Sequence, residues 1–310
     1  MNKAQAQVHW IFVIVAGSII LLFFIGFGFE YMKLQNSKLN SVVAMQFDNT
    51  INGLKIGEQY KILEISEKVN VNFKCDSLNV NNDFNHRWDE NIIFSPDKIY
   101  SDKFMIWAKK VEMPFGIDNV VLISSRDYKI FVIESEYSRK ILESIPRQFD
   151  NVQLIQFNEL NNIDFKINKN TKIVSFEDYN LDNFKDEADI VYINKGDFGR
   201  LKFNNENFDF YGKAMIYGVI FSSNNNFACA SQKLFKKASV ISNIYYNKAL
   251  YLQDCCSKII CNYNNIANDL KLFSELFKQQ NLDMNNINLL SQSIISKNND
   301  LFNRDCRVVF

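Results

Sequence analysis

The longest apolar stretch of the chain lies near its beginning. Residues 10–29 carry no charged side chain, and no Asp, Glu, Lys or Arg occurs between Lys3 and Glu30. Twenty residues in a helix extend about 30 Å, which matches the hydrocarbon core of a bilayer. Side chains typical of a membrane interface flank this stretch: His9, Trp10, Tyr31 and Lys33. The pattern predicts a transmembrane anchor over residues 1–31 that contacts lipid through residues 10–29.

A cleavable signal peptide and a buried core helix fit this apolar stretch less well than an anchor does. The apolar core of a signal peptide usually has about 7–15 residues and ends at small side chains. This stretch is longer and continues into Phe-Gly-Phe-Glu-Tyr at residues 27–31. A buried helix of a soluble protein is seldom apolar on all sides over so many residues. We therefore expect an uncleaved, single-pass anchor in the cell membrane.

The helical pattern continues beyond the anchor. Apolar side chains recur every three or four residues, and neither Gly nor Pro intervenes before Gly53. The positions with this period are Leu39, Val42, Val43, Phe47, Ile51 and Leu54. Residues 32–56 are therefore expected to form a helical stalk, or a helix packed on the body of the protein. The sharper alternative is an interface for self-assembly or for a protein partner through residues 33–54.

Residues 57–225 have the pattern of strands. Apolar and polar side chains alternate over 62–65 and 69–73, as on a half-buried sheet. Further apolar runs predict strands at 120–124, 128–133, 152–157, 172–176, 189–193 and 214–221. A helical pattern over 135–145 between two of these runs favours a parallel pair, and Asn204-Asn205 predicts a hairpin. We expect a mixed α/β sheet in this domain.

Residues 226–310 change to a helical period. Three apolar stripes run over 234–252, 259–277 and 287–301, and the short breaks between them favour antiparallel neighbours. The predicted fold class is therefore α+β or mixed α/β. It has an N-terminal transmembrane helix, a mixed-sheet ectodomain and a C-terminal three-helix bundle or cap.

All six cysteines follow the anchor, and an even number suits disulfides in an oxidising compartment. If the three helices run up, down and up, four cysteines gather at one end: Cys255, Cys256, Cys261 and Cys306. Cys306 is then expected to pair with one of the other three, because a disulfide requires Cα atoms within about 7 Å. The remaining two cysteines of this group are then expected to form a disulfide with each other, and Cys75 is expected to form one with Cys229. In a cytosolic body the same residues are plain buried thiols.

Charge distribution bears on orientation and on partners. Lys3 precedes the anchor, and Lys33 and Lys38 follow it, so the positive charges do not decide the orientation. The cysteine count favours a cytoplasmic N-terminus and an extracytoplasmic body. The 35 Lys and Arg residues balance the 35 Asp and Glu residues, so we expect no nucleic acid partner.

Three side chains are candidates for catalysis. His86 lies in the acidic and aromatic stretch 83–90 and is the only histidine outside the anchor region. Asp178 and Asp197 each follow a predicted strand, and ligands of open α/β sheets gather at the carboxyl ends of strands. Solvated loops, turns and helix caps explain the same residues equally well. The sequence contains no phosphate-binding glycine motif and no Cys-x-x-Cys, so we expect no cofactor and no metal.

Residues 3–13, Lys-Ala-Gln-Ala-Gln-Val-His-Trp-Ile-Phe-Val, resemble the start of uncharacterised single-pass membrane proteins of small-genome archaea. Residues 93–97 and 217–222 are similar to the same group. The resemblance implies a location in the membrane and no particular chemistry.

The tripeptide Lys-Ala-Gln at residues 3–5 also resembles the opening of archaeal type IV pilins. That resemblance implies cleavage after Ala4 and assembly through residues 5–54. Gln7 and His9 stand where this family has Ser and Glu.

The leading hypothesis is a membrane-anchored surface or envelope protein with a binding or scaffolding ectodomain. It rests on the strong anchor pattern and on the lack of a catalytic motif. The alternatives are a pilin-like filament or secretion-system subunit and a membrane-anchored α/β enzyme.

Overall fold

The fold is that of a computed structural model, which describes residues 3–57, 59–88, 90–163, 170–256, 261–279 and 282–310. A long N-terminal helix leads into two six-stranded sheets, and helices follow at the C-terminal side. This order confirms the α+β class that the sequence predicts.

Helix α1 spans Lys3–Leu54, with no break where the predicted anchor meets the predicted stalk. Within the described residues it is the one helix long and apolar enough to cross a membrane. The described side chains between Trp10 and Leu34 are almost all exposed, large aromatic residues included. This part of the helix therefore makes no core of its own.

The second half of α1 packs on the body of the protein. Its buried apolar side chains recur at helical spacing: Val43, Ala44, Phe47, Ile51 and Leu54. The Phe47 ring meets the rings of Phe73 and Phe104 edge-on, with centroids 5.9 and 4.9 Å away. Of the two arrangements predicted for this segment, the structure has the packed helix.

The first sheet, sheet A, has the strand order β3-β2-β1-β5-β6-β4. Its strands are β1 Tyr60–Lys74, β2 Ser77–Val80, β3 Phe84–Arg87, β4 Ile93–Phe94, β5 Lys98–Glu112 and β6 Gly116–Ser125. The two strands predicted within residues 62–73 are one strand, β1, with an irregularity between Glu64 and Val69. In the outer strands, alternate side chains face α1 and the side chains between them face solvent. Helix α1 therefore covers only one face of this part of sheet A.

The second sheet, sheet B, has the strand order β12-β11-β10-β9-β7-β8. Its strands are β7 Lys129–Ile133, β8 Val152–Ile155, β9 Thr171–Ser175, β10 Asp189–Ile193, β11 Phe198–Phe203 and β12 Glu206–Tyr211. The strands β8, β7, β9 and β10 are parallel, and helix α2, Glu136–Leu142, connects β7 to β8. The predicted parallel pair and the hairpin at Asn204, whose φ is 51°, are both confirmed.

The predicted strand over residues 214–221 is wrong, because this segment forms helix α3, Lys213–Phe221. Every residue from Ala214 to Phe221 is buried. The helix lies between the two sheets and contacts β4, β5 and β6 on one side and β10 and β12 on the other. A segment that is apolar on all sides has no period, so its sequence does not distinguish a buried strand from a buried helix.

Three further helices complete the chain: α4 Asn224–Cys256, α5 Asn264–Leu276 and α6 Met284–Asn303. Contacts between Ser239 and Ser274 and between Ser242 and Leu270 show that α4 and α5 are antiparallel. One apolar core continues from sheet A through α3 to these helices. Ile259, placed by the sequence at the start of the second stripe, lies outside the described residues.

Substitution of Gly218 tests the close packing of α3. A Cβ atom here would lie 2.8–2.9 Å from three carbons of the buried Phe94 ring. Gly218→Ala should therefore lower the free energy of unfolding by about 1–3 kcal/mol, as overpacking does. Chemical denaturation of the purified full chain measures the change.

The matched control is Gly53→Ala in α1, where nothing lies within 4 Å of the added Cβ atom. Alanine should stabilise this exposed helical site by about 0.5–1 kcal/mol. Equal effects of the two substitutions would contradict the packing described for α3.

Candidate functional site

The predicted catalytic residues lie on different sheets. His86 is in β3, at the edge of sheet A, where its Nε2 is 3.4 Å from Oδ1 of Asp48 in α1. Asp178 and Asp197 follow the parallel strands β9 and β10, so both lie at the same edge of sheet B, and both are exposed. Within the described residues no contact joins His86 to either carboxylate. Asp89, close to His86 in the predicted cluster, lies outside the described residues.

A solvated ion pair occupies this edge of sheet B. Lys195 donates to Glu177 at 3.0 Å and holds the pKa of that carboxyl below its usual value. The main chain of Asp197 accepts a hydrogen bond from Gly212 N at 2.5 Å, so this turn is fixed by its backbone. The arrangement supports the turn and leaves the Asp178 and Asp197 side chains on the surface.

The cysteines form cross-links. Cys75 is bonded to Cys229 and Cys261 to Cys306, with Cα–Cα distances of 5.8 and 5.9 Å. Cys255 is also disulfide-bonded, whereas the side chain of Cys256 lies outside the described residues. Cys229 lies inside α4, five residues after its first residue, because the helix begins before the apolar stripe at 234–252.

The predicted interfacial residues lie at the two ends of the apolar segment, where Trp10, Tyr31 and Lys33 are exposed. The side chain of His9 lies outside the described part of the chain. In the described ranges no group of three or more His, Cys, Asp or Glu side chains is placed to hold a metal ion.

A buried lysine, Lys172 in β9, was not predicted from the sequence. It is completely buried, and its Nζ donates to Val219 O at 2.8 Å and to Ser222 O. Both carbonyls belong to the C-terminal end of α3, where helix carbonyls lack partners and the helix dipole favours a cation. Lys172 therefore caps the buried helix. The signal in the sequence is a single lysine within the apolar strand 171–175.

The surroundings of Lys172 change its acidity. Burial lowers the pKa of the Lys172 ammonium to about 7, against the opposing effect of the Asp189 and Asp97 carboxylates. The Nζ atom is 4.5 Å from the ring centroid of Phe203 and 6.0 Å from that of Tyr128. The same burial raises the pKa of the Tyr128 hydroxyl well above its usual value. No solvent reaches Lys172, so its role is to hold α3.

A polar groove of about 690 Å³ lies between the outer strands of sheet A and the start of α4. Asparagine is its most frequent lining residue, and we call it the asparagine groove. It is lined by Asn72, Phe73, Lys74, Cys75, Ser77, Asn79, Asn82, Asn85, Asp97, Asn225 and Asn226. The Cys75–Cys229 disulfide ties its strand side to its helix side. Its position depends on strand register and on a helix far along the chain, so no local motif indicates it.

Comparison with known proteins gives no analogue from which a function could be transferred. No family model, curated protein or solved structure matches the chain. Function is therefore inferred from the geometry of the chain itself.

The buried Lys172 predicts a specific pH dependence of stability. Its pKa is about 7 in the folded state and about 10.4 when unfolded. Between these values the unfolded state binds a proton that the folded state does not, so the contribution of Lys172 to stability rises with pH. From pH 7.5 to 9.5, the unfolding free energy of wild type should therefore rise relative to that of Lys172→Met by up to about 1.4 kcal/mol per pH unit.

Urea denaturation of both proteins at several pH values measures this difference, and subtraction removes the titration of groups that the two share. A difference that stays constant with pH would contradict a folded-state pKa near 7.

Proposed function

We propose that this chain is a single-pass membrane protein whose body lies outside the cytoplasm and binds a ligand without chemical conversion. The single observation that carries the proposal is the division of α1. Its first half is apolar and exposed, while its second half is part of the folded core. A helix of this kind satisfies its own backbone hydrogen bonds in lipid and needs a bilayer to cover its side chains.

The cross-links support the extracytoplasmic side. Disulfides persist in oxidising compartments and are rare in the cytosol. The Cys75–Cys229 bond joins residues that are 154 positions apart in the sequence, and the Cys261–Cys306 bond joins residues that are 45 positions apart. A cytoplasmic N-terminus then places the anchor across the membrane and the body on the far side.

Binding is favoured over catalysis by the positions of the candidate residues and by the chemistry of the groove. His86 lies on sheet A, whereas Asp178 and Asp197 lie on sheet B, and no contact between described residues joins His86 to either carboxylate. Acid–base catalysis needs its groups within hydrogen-bonding reach of one substrate. The asparagine groove is lined mainly by amides, which bind through hydrogen bonds and do not titrate near neutral pH.

A pilin-like filament subunit is the second candidate. The observation that favours it is that α1 is unbroken from Lys3 to Leu54 and leaves its first part free of the body. The stripe at residues 43–54 is covered by sheet A, so helix-to-helix assembly would use the segment before it. Cleavage after Ala4 in the mature protein supports this candidate, and an intact residue 2 or 1 at the N-terminus rejects it.

External proteolysis of intact cells tests the leading proposal. With cells that express the full chain and have a permeable outer layer, added proteinase K should degrade the body and leave a membrane-embedded N-terminal fragment. Peptide mass spectrometry without reduction should recover Cys75 linked to Cys229 and Cys261 linked to Cys306.

A cytoplasmic marker protein in the same cells provides the control and should survive. A body that is protected until the cells are lysed, with its cysteines reduced, would place it in the cytoplasm and reject the proposal.

A further inference from the structure

The strand register aligns three amides of the asparagine groove. Asn72 of β1 is opposite Asn79 of β2, and Asn79 is opposite Asn85 of β3. The apolar neighbours of Asn72 and Asn79 are buried under α1, and the two neighbours of Asn85 are half-buried. The three amides therefore stand on the other, solvent-facing side of sheet A. Each amide has two N–H donors and one oxygen acceptor. We call these three residues the asparagine row.

The protein leaves part of this hydrogen-bonding capacity unused. Asn72 Nδ2 donates to Asn82 Oδ1 at 2.9 Å, which links the row to the β2–β3 turn. Asn79 Oδ1, in the middle of the row, is a shielded acceptor that receives no hydrogen bond from the described residues. A shielded polar atom without a partner costs free energy, so the Asn79 amide gains from turning its oxygen toward a ligand that supplies a donor.

The charged side chains in the groove wall balance each other. They are Lys74 and Asp97. The Asp97 carboxylate accepts a hydrogen bond from the hydroxyl of Ser223, the residue directly before α4. The positive N-terminal end of this helix therefore already faces an anion. The two charges of the lining residues therefore cancel.

An aromatic ring lies on the same face as the row. Tyr100 of β5 is opposite Asn70 of β1, two residues before Asn72 and on the same side of the strand. The Tyr100 side chain is 56% exposed, and Lys68 Nζ is 5.9 Å from its ring centroid. Tyr100 is not a lining residue of the groove, so its ring extends the surface along the same face of the sheet. A flat apolar ring on the face that carries the amides suits a ligand with a C–H face and a rim of hydroxyl groups.

The groove is also held in shape before any ligand arrives. Asn226 Nδ2 donates to Phe73 O and to Ser95 O, both at 3.2 Å, which ties α4 to two strands or their ends. The disulfide Cys75–Cys229 adds a covalent link at the same place. A preformed site loses little conformational entropy on binding.

We propose that the asparagine groove binds an uncharged saccharide. Neutral amides in a row, balanced charges and a neighbouring tyrosine ring together match the hydroxyl groups and the C–H face of a sugar. The groove volume of about 690 Å³ is within the range of small-molecule sites. This inference rests on the proposed binding function and names its ligand class.

Titration of the full chain in lipid nanodiscs tests the inference. The probes are the hexasaccharides of glucose, mannose, galactose and N-acetylglucosamine, with a heparin hexasaccharide as the charged comparison. At least one uncharged probe should bind with a dissociation constant below 1 millimolar, at a strength independent of salt. Asn79→Ala with Asn85→Ala should weaken this binding at least tenfold.

The matched control is Asn243→Ala with Asn247→Ala, two exposed asparagines of α4 that do not line the groove. It should bind within twofold of wild type, and urea unfolding confirms that both variants are folded. Three results would overturn the inference: no binding of any uncharged probe, binding of the heparin probe alone, or equal binding by the Asn79/Asn85 variant.

The outcome is separable from that of the proposed function. If external protease digests the body but no saccharide binds, the ligand assignment fails while the membrane-anchored body stands. If the body is protected inside the cell, the proposed location fails whatever the titration gives.

Discussion

The packing of α1 on sheet A is the interaction on which the rest of the structure depends. Val43, Phe47, Ile51 and Leu54 are all buried against the sheet, and each such side chain contributes about 1.5–3 kcal/mol when it leaves water. The face of β1, β2 and β3 that they cover would otherwise be an open apolar surface. Because the same helix continues into the exposed apolar segment, the proposed anchor and the fold share one element.

This coupling also fixes where the groove opens. Asn40 Nδ2 donates to Asp83 Oδ2, so the β2–β3 turn meets α1 at that level. Asn40 lies eleven residues after Phe29, the end of the apolar segment, which is a rise of about 16 Å along the helix. Asn82, the groove residue in this turn, adjoins Asp83 and therefore lies near the level of Asn40. A ligand there would be held close to the cell surface.

The sequence was informative where a segment has one buried face. Alternation predicted β1 of sheet A and an apolar run predicted β6, whereas β2, β3, β4 and β5 were not predicted. Helical spacing predicted the docked half of α1, and Asn204 marked its hairpin. The prediction failed for residues 214–221, because a helix that is buried on every side has no periodic alternation of apolar and polar residues. Lys172 was missed because the carbonyls that it caps lie more than forty residues later. The asparagine row depends on two strand registers, and a register becomes visible only in three dimensions.

The most direct test of the coupling compares two shortened chains, one beginning at Lys33 and the other at Ile56. We expect the chain from Lys33 to fold without the apolar segment, to form the Cys75–Cys229 and Cys261–Cys306 disulfides and to unfold cooperatively in urea. The chain from Ile56 should lack a cooperative transition, because the apolar face of sheet A is uncovered. An equally cooperative transition at the same urea concentration for both chains would contradict the dependence of the fold on α1.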